Sequence, residues 1–288
     1  MGKLELQERI AQVIQQFNLF SNVFMKVVFR DPLACQHVIR ILSGNSEVKI
    51  VNVRTEYEIA KVGSHDSRLD VLAEDQEEKL YNLELQRAEY LDHAKRVRFY
   101  NAMIDSEMLE KGKDYDALPD LHVYYISETD IWKKKQTCCQ VKKILSAAEE
   151  PYRDGIRITY INAEIDDNSE TARLMKYFKT ADPYDNSQGD LSKRVYFLKC
   201  EEEGKRIMCK VTDELIEIGK EIGKEIGKEI GKEIGQELGE SIGEERGVKR
   251  IVLRMAERGK TLGEIIDNTG VSLELAKRWL GEAAAVGN

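Results

Sequence analysis

The stretch that most constrains this chain runs from Ser67 to Gln86. Its two ends, Ser67 to Ala73 and Leu80 to Gln86, alternate apolar and polar residues, the period of a half-buried strand. The residues between them, Glu74 to Lys79, are all polar or charged and read as a hairpin turn. Leu69, Val71 and Ala73 share one face of the first strand, with Asp70 on the other. Tyr81, Leu83 and Leu85 share one face of the second, with Asn82, Glu84 and Gln86 on the other. A hairpin centred near residue 77 sets Asp70 across from Glu84, and cross-strand neighbours lie about 4.5–5.5 Å apart at Cβ. Two carboxylates at that spacing repel unless a cation lies between them, and hard divalent cations prefer oxygen ligands. Alternation alone also allows a plainer outcome, in which both acids sit on the wet face of an ordinary hairpin.

The flanking chain supplies a fold for the hairpin. Residues 4–18 have helical spacing, and residues 23–42 form a second helical region, broken where Asp31 and Pro32 mark a turn and a new helix start. Residues 48–59, rich in Val and Ile, read as a strand that residues 62–65 link to the hairpin. Residues 92–109 read as a long helix with Val97, Tyr100, Ile104 and Met108 on one stripe, ended by Gly112. Residues 121–126 and 155–162 read as further strands. Residues 169–178 read as a helix capped by Asn168 or Ser169, 182–190 as a loop, and 191–211 as helical or mixed. The order helix, strand, strand, strand, helix, strand points to an α/β (α+β) domain, a mixed central sheet flanked by helices.

Asp70, in the run Arg68-Leu69-Asp70-Val71, is followed fourteen residues later by Glu84-Leu85-Gln86. This pair resembles the signature of the PD-(D/E)XK nuclease superfamily, an Asp on one strand and Glu/Asp-x-Lys on the next. It is more specifically similar to the transposase-like branch, the recombination-promoting nuclease family of bacteria, which often carries Glu-x-Gln. Three further stretches resemble that branch: Phe24 to Pro32, Arg96 to Asp105, and Gly112 to Pro119. The likeness covers about residues 20–165 closely and the rest loosely. It implies a restriction-endonuclease-like core and a metal-dependent DNA endonuclease that hydrolyses phosphodiesters and promotes DNA recombination. It further implies that Asp70 and Glu84 hold Mg²⁺ or Mn²⁺, joined by the Leu85 carbonyl, and that Gln86 orients the attacking water. Gln86 carries no charge, so the resemblance leaves Lys26, Arg96 or Arg98 to supply it and to touch DNA. Glu56 and Glu58, on the strand before the hairpin, have the residue type of an extra metal ligand. One position departs from the family pattern: the acid usually found four residues before the lysine is Asn22 here, ahead of Lys26.

Charge limits how such a protein meets DNA. The formal net charge is −8. Residues 213–247 carry eleven acidic against five basic groups, and residues 248–288 seven basic against five acidic, so residues 1–212 are mildly acidic. Contact with a polyanion must come from a local basic patch. No apolar run approaches the roughly 18 residues of a membrane span and no signal-peptide pattern opens the chain, so the expected home is the cytoplasm. Five cysteines without Cys-x-x-Cys spacing are expected to be reduced thiols, mostly buried, with no disulfide framework and no zinc site. Neither the four histidines nor any phosphate-loop motif suggests another enzyme class.

Three segments are expected: a nuclease-like domain over 1–212, a helical repeat linker over 213–247, and a small helical module over 248–288. In the linker Gly-Lys-Glu-Ile recurs every four residues, with glycine at each fourth position from Gly219 to Gly247. Four residues turn an α-helix by about 400°, so the apolar stripe drifts by about 40° per repeat. Each helical glycine costs about 1 kcal/mol relative to alanine, while each Glu–Lys pair returns about 0.2–0.5 kcal/mol. The balance is a marginal helix or tether whose small-residue stripe permits self-association into a homo-oligomer. In the last module Thr261 and Glu264 have capping-box spacing, Gly270 marks a turn, and Lys277, Arg278 and Trp279 fall on the following helix. That layout is helix-turn-helix-like and suits either a DNA-binding appendage or a self-packed hairpin. The rival to the enzyme is a catalytically inactive nuclease fold that binds DNA or self-associates.

Overall fold

A computed structural model describes residues 3–59, 67–87 and 93–286. The chain divides into two compact units, Met1–Glu214 and Leu215–Asn288. The first unit opens with helices α1 (Lys3–Gln16), α2 (Asn22–Phe29) and α3 (Pro32–Ser43). The sharp break at Asp31-Pro32 has a local cause. Asp31 caps α3 by accepting from the Leu33 and Ala34 amides at 2.9 and 3.2 Å, and Pro32 occupies the first turn, where its missing N–H costs nothing. Gly44 ends α3 in the left-handed conformation.

Strands β1 (Ile50–Ile59), β2 (Ser67–Asp75) and β3 (Leu80–Gln86) then form an antiparallel meander. Helix α4 (His93–Met108) carries the chain to β4 (Leu121–Ser127), which pairs parallel with β3, since parallel neighbours require a crossover. Short strands β5 (Cys138–Gln140), β6 (Ile144–Leu145) and β7 (Glu150–Pro151) precede β8 (Ile156–Asn162), which lies parallel to β4. The resulting six-stranded sheet has the order β1-β2-β3-β4-β8-β5, while β6 and β7 pair separately. This is the mixed α/β sheet flanked by helices that the sequence led us to expect. The linking segment 62–65 and the helix start at Asp92 fall outside the described residues.

Burial departs from the half-buried pattern that alternation suggests. Residues Leu80 to Glu84 of β3 are all buried, and Leu69, Val71, Leu72 and Ala73 of β2 are buried on both faces. A strand in the middle of a sheet covered by helices loses its wet face. Val97, Met103 and Ile104 of α4 pack with Leu72, Leu80, Val123 and Tyr125. Helices α5 (Glu170–Thr180), capped by Ser169, and α6 (Gly189–Cys200) complete the unit. Lys199 is buried, and its ammonium donates to the carbonyls of Gln15, Phe17 and Ala181 at 3.1, 2.6 and 2.9 Å. Three carbonyls match the three donors of an ammonium, so this lysine ties the ends of α1 and α5 to α6. All five cysteines are free thiols, but only Cys35 is buried, against the expectation that most would be.

The Gly-Lys-Glu-Ile repeat lies within one continuous helix, α7 (Glu202–Glu257). In the second unit α8 (Leu262–Thr269) starts at a complete Thr261–Glu264 capping box and ends at Gly270 in the left-handed conformation. Helix α9 (Leu273–Val286) follows. Trp279 is only 3% exposed and packs on Val252 and Ile265, so it is a core residue; Lys277 and Arg278 beside it are exposed. Among the described residues no helix is long and apolar enough to cross a membrane.

The hairpin register that positions β2 against β3 is fixed at its turn. The Asp75 carboxylate accepts from the amides of Glu77 and Lys79 at 2.8 and 3.0 Å and from the Tyr81 hydroxyl at 2.8 Å. The Asp75 amide donates to the Lys79 carbonyl at 3.0 Å, and Glu78 takes φ 63° to close the loop. A one-residue slip would turn every β3 side chain to the opposite face. Asp75→Ala is expected to cost about 3 kcal/mol by leaving three donors without a buried acceptor, and to lower the first unit's thermal midpoint by about 6–12 °C, read by circular dichroism.

Candidate active site

The β2–β3 register pairs Val71 with Leu83 and Leu72 with Asn82, and one further step sets Asp70 against Glu84. The two acids are laced reciprocally across the strands. The Leu85 amide donates to Asp70 Oδ2 at 2.9 Å, and the Asp70 amide donates to Glu84 Oε1 at 3.4 Å. Each carboxylate is thus aimed by the backbone of the strand opposite. Glu84 is 7% exposed, which rules out the wet-face outcome for it, and Asp70 is half-buried. Gln86, two residues on along the same strand, is half-buried and accepts from Arg96 Nη1 of α4 at 3.3 Å.

Burial, and after it the Asp70 charge, push the Glu84 carboxyl well above the usual carboxylate range; the Asn82 amide, the Asp70 N–H and the Arg96 guanidinium oppose the shift. Asn82 is buried with its amide close enough to Glu84 to act on it, yet neither polar atom of that amide makes a well-formed hydrogen bond. Buried polar atoms without partners are uncommon in folded proteins. Among the described residues there is no cluster of three or more His, Cys, Asp or Glu side chains arranged to hold a metal. Two crowded carboxylates beside an orphaned amide nevertheless fit a hard divalent cation that keeps several waters, as Mg²⁺ does.

Other residues named from the sequence fall around this pair. Lys26 of α2 is buried and its ammonium pairs with Glu56 Oε1 at 2.5 Å, an ion pair rather than a free surface cation. Glu56 has φ 55°, a left-handed conformation unusual for glutamate and one that stores of order 1–3 kcal/mol. Carried through Thr55–Val71 and Tyr57–Leu69, the β1–β2 register places Glu56 level with Asp70. Glu58 pairs with Arg68 farther along β1. Arg98 is exposed on α4, and Asn22 is exposed at the start of α2.

The sequence reading passed over the loop after β4, although the run Trp132-Lys133-Lys134-Lys135 was visible as an aromatic beside three cations. It also passed over His93, whose ring meets Trp132, Tyr160 and Tyr125 at centroid distances of 4.6, 5.8 and 6.4 Å. His93 gave no signal of its own, since neither its spacing nor its neighbours in the chain mark it.

The raised Glu84 carboxyl has a stability consequence. The folded chain holds that proton more tightly than the unfolded chain, so stability falls as pH rises through the window between the ordinary and the raised value. Glu84→Gln removes this cost. In EDTA its thermal midpoint is expected to exceed the wild type's by a margin that grows with rising pH and vanishes below the ordinary carboxylate range. Added divalent cation should raise the midpoint of the wild type and not that of the variant, as followed by differential scanning fluorimetry.

Comparison with known proteins bears on the whole chain. No curated protein and no solved structure matches it. The family model described as PD-(D/E)XK nuclease family transposase matches residues 38–226. The match begins after the Phe24–Pro32 stretch and continues past residue 165 into the repeat, so its span is shifted from the expected 20–165. It contains β1 to β8, with Asp70, Glu84, Gln86 and Arg96 among its residues. With about two thirds of its length matched and a mixed sheet flanked by helices, the chain belongs to the PD-(D/E)XK nuclease family transposases.

Proposed function

We propose that this protein is a metal-dependent DNA endonuclease whose site is the Asp70–Glu84 pair. The observation that carries the reading is the reciprocal lacing of two acids across β2 and β3 with Glu84 buried, an arrangement that desolvation and like charge both work against. Asp70 and Glu84 would hold Mg²⁺ or Mn²⁺. Such an ion, when bound, polarises a phosphoryl oxygen and lowers the pKa of a coordinated water.

The chain's own residues set the rest. The Leu85 amide fixes the rotamer of Asp70, and the Asp70 amide fixes that of Glu84, so both are pre-aimed before any substrate arrives. Gln86 has its carbonyl oxygen turned to Arg96, which leaves Nε2 as its donor side. It therefore orients a water or a phosphate oxygen by donation and takes no proton. Arg96 supplies the positive charge that Gln86 lacks, held one side chain away. Lys26, engaged by Glu56, steadies the strand beside Asp70, while exposed Arg98 remains a phosphate contact. The division into a catalytic domain over 1–212, a repeat helix over 213–247 and a terminal module over 248–288 with its own DNA contact belongs to the same reading, as does a role in DNA recombination.

Plasmid DNA incubated with Mg²⁺ or Mn²⁺ is expected to be nicked, and EDTA to stop the reaction. Asp70→Ala and Glu84→Ala should abolish nicking while remaining folded. Arg96→Ala, which releases Gln86, should slow it by about 10–100-fold. Cleavage that survives both acid substitutions would refute this site. Binding of DNA without cleavage by the wild-type chain would support the inactive alternative.

A further inference from the structure

We propose that the loop following β4, residues 128–137, holds a single-stranded stretch of the substrate, stacking an unpaired base on Trp132 and placing phosphates against Lys133, Lys134 and Lys135. The proposal rests on the nuclease reading above and names the form of nucleic acid that its site receives.

Strands β3, β4 and β8 run parallel, and open α/β sheets bind ligands beyond the carboxyl ends of such strands. Glu84 and Gln86 stand at the end of β3, and this loop leaves the end of β4, its neighbour. The register sets Glu84 against Tyr125 and Tyr125 against Tyr160. Two interstrand steps span about 10 Å, so the backbone of Tyr160 lies that far across the sheet from the backbone of Glu84. Trp132 meets Tyr160 edge-on, with centroids 5.2 Å apart and planes at 83°, and meets His93 at 4.6 Å and 89°. The indole is thus braced by two rings yet remains 39% exposed. A packed core tryptophan would be covered, as Trp279 is, and an idle surface tryptophan would not be held.

In this acidic protein three consecutive lysines are exposed beside Trp132 and make no ion pair among the described residues. Three nearby acids have partners other than these lysines. Asp130 accepts from the Lys135 amide at 2.7 Å, Glu164 accepts from the Asp130 amide at 2.9 Å, and Glu128 pairs with Arg87 at 3.7 Å. Two of these carboxylates hold the loop's backbone and the third meets Arg87, so none of them is drawn into an ion pair with the three lysines. A basic stretch with an exposed aromatic ring is the combination that binds single strands without sequence preference, because every base offers a π-face.

The test uses full-length protein and a fluorescein-labelled oligothymidylate of about 16 nucleotides, with a duplex of the same length for comparison, in EDTA and again in Ca²⁺. Single-strand binding should quench tryptophan emission. Trp132→Phe should keep the affinity and lose the quench, since buried Trp279 remains as the background. Trp132→Ala should weaken single-strand binding by about 10-fold and duplex binding far less, with an unchanged circular dichroism spectrum. Replacing the three lysines by alanine should reduce the slope of log affinity against log salt by about 2. Unaltered single-strand affinity in Trp132→Ala, an undiminished quench in Trp132→Phe, or no binding of single strands under either condition would each overturn the proposal. Metal-dependent nicking measured alongside separates the two readings. Nicking with no role for Trp132 removes the loop's function alone, whereas Trp132-dependent binding without nicking by the wild type removes the nuclease.

Discussion

Two carboxylates held opposite each other inside a sheet are the constraint around which this molecule is built. Their repulsion and desolvation work against folding, as the raised Glu84 carboxyl records. Something must therefore over-determine their positions. The hairpin does so from both ends. At the turn, Asp75 gathers two amides and the Tyr81 hydroxyl and sets the register; at the site, each acid accepts an amide from the other strand or its neighbour. Strand β4 then locks β3 from the far side, with α4 packed across both. The acids do not stabilise the fold. The fold compels the acids.

How much of this was legible follows from what periodicity can and cannot encode. A side-chain period of 2 gives the face of each strand residue, and a polar turn gives the centre of the hairpin, so the Asp70–Glu84 pairing could be read directly. Burial could not. Alternation suggested a wet face, but β3 is the third of six strands and is covered by α4, a fact that depends on strand order. The same gap explains Lys26. In the sequence it is a cation within a motif; in the fold α2 buries it, and Glu56 meets its charge. Trp279 was equally ambiguous beside Lys277 and Arg278, because helical spacing does not say which stripe of α9 faces Val252 and Ile265. The loop after β4 lacks any period, and its approach to the sheet's aromatic row arises only from the parallel pairing of β4 with β8.

The glutamine at position 86 shows how the chain reconciles charge with geometry. A lysine there would place an ammonium beside Glu84 directly. Glutamine brings none, and the nearby cation is Arg96 on α4: its guanidinium donates to Gln86 and also draws the Glu84 carboxyl back towards ionisation. Charge and donor are thereby separated onto two elements. The donor sits on the rigid strand with the acids, and the charge sits on the crossover helix that begins at His93. A single side chain on α4 then tunes both the acidity of Glu84 and the orientation of Gln86. Since His93, at the same helix's first residue, also braces Trp132, the placement of α4 links the acid pair to the aromatic row beyond it. A shift of that helix would therefore move the Arg96 charge relative to Gln86 and Glu84 on β3 and would withdraw His93 from Trp132, so the crossover between β3 and β4 couples the acid pair to the aromatic row although no residue of the pair lies on it.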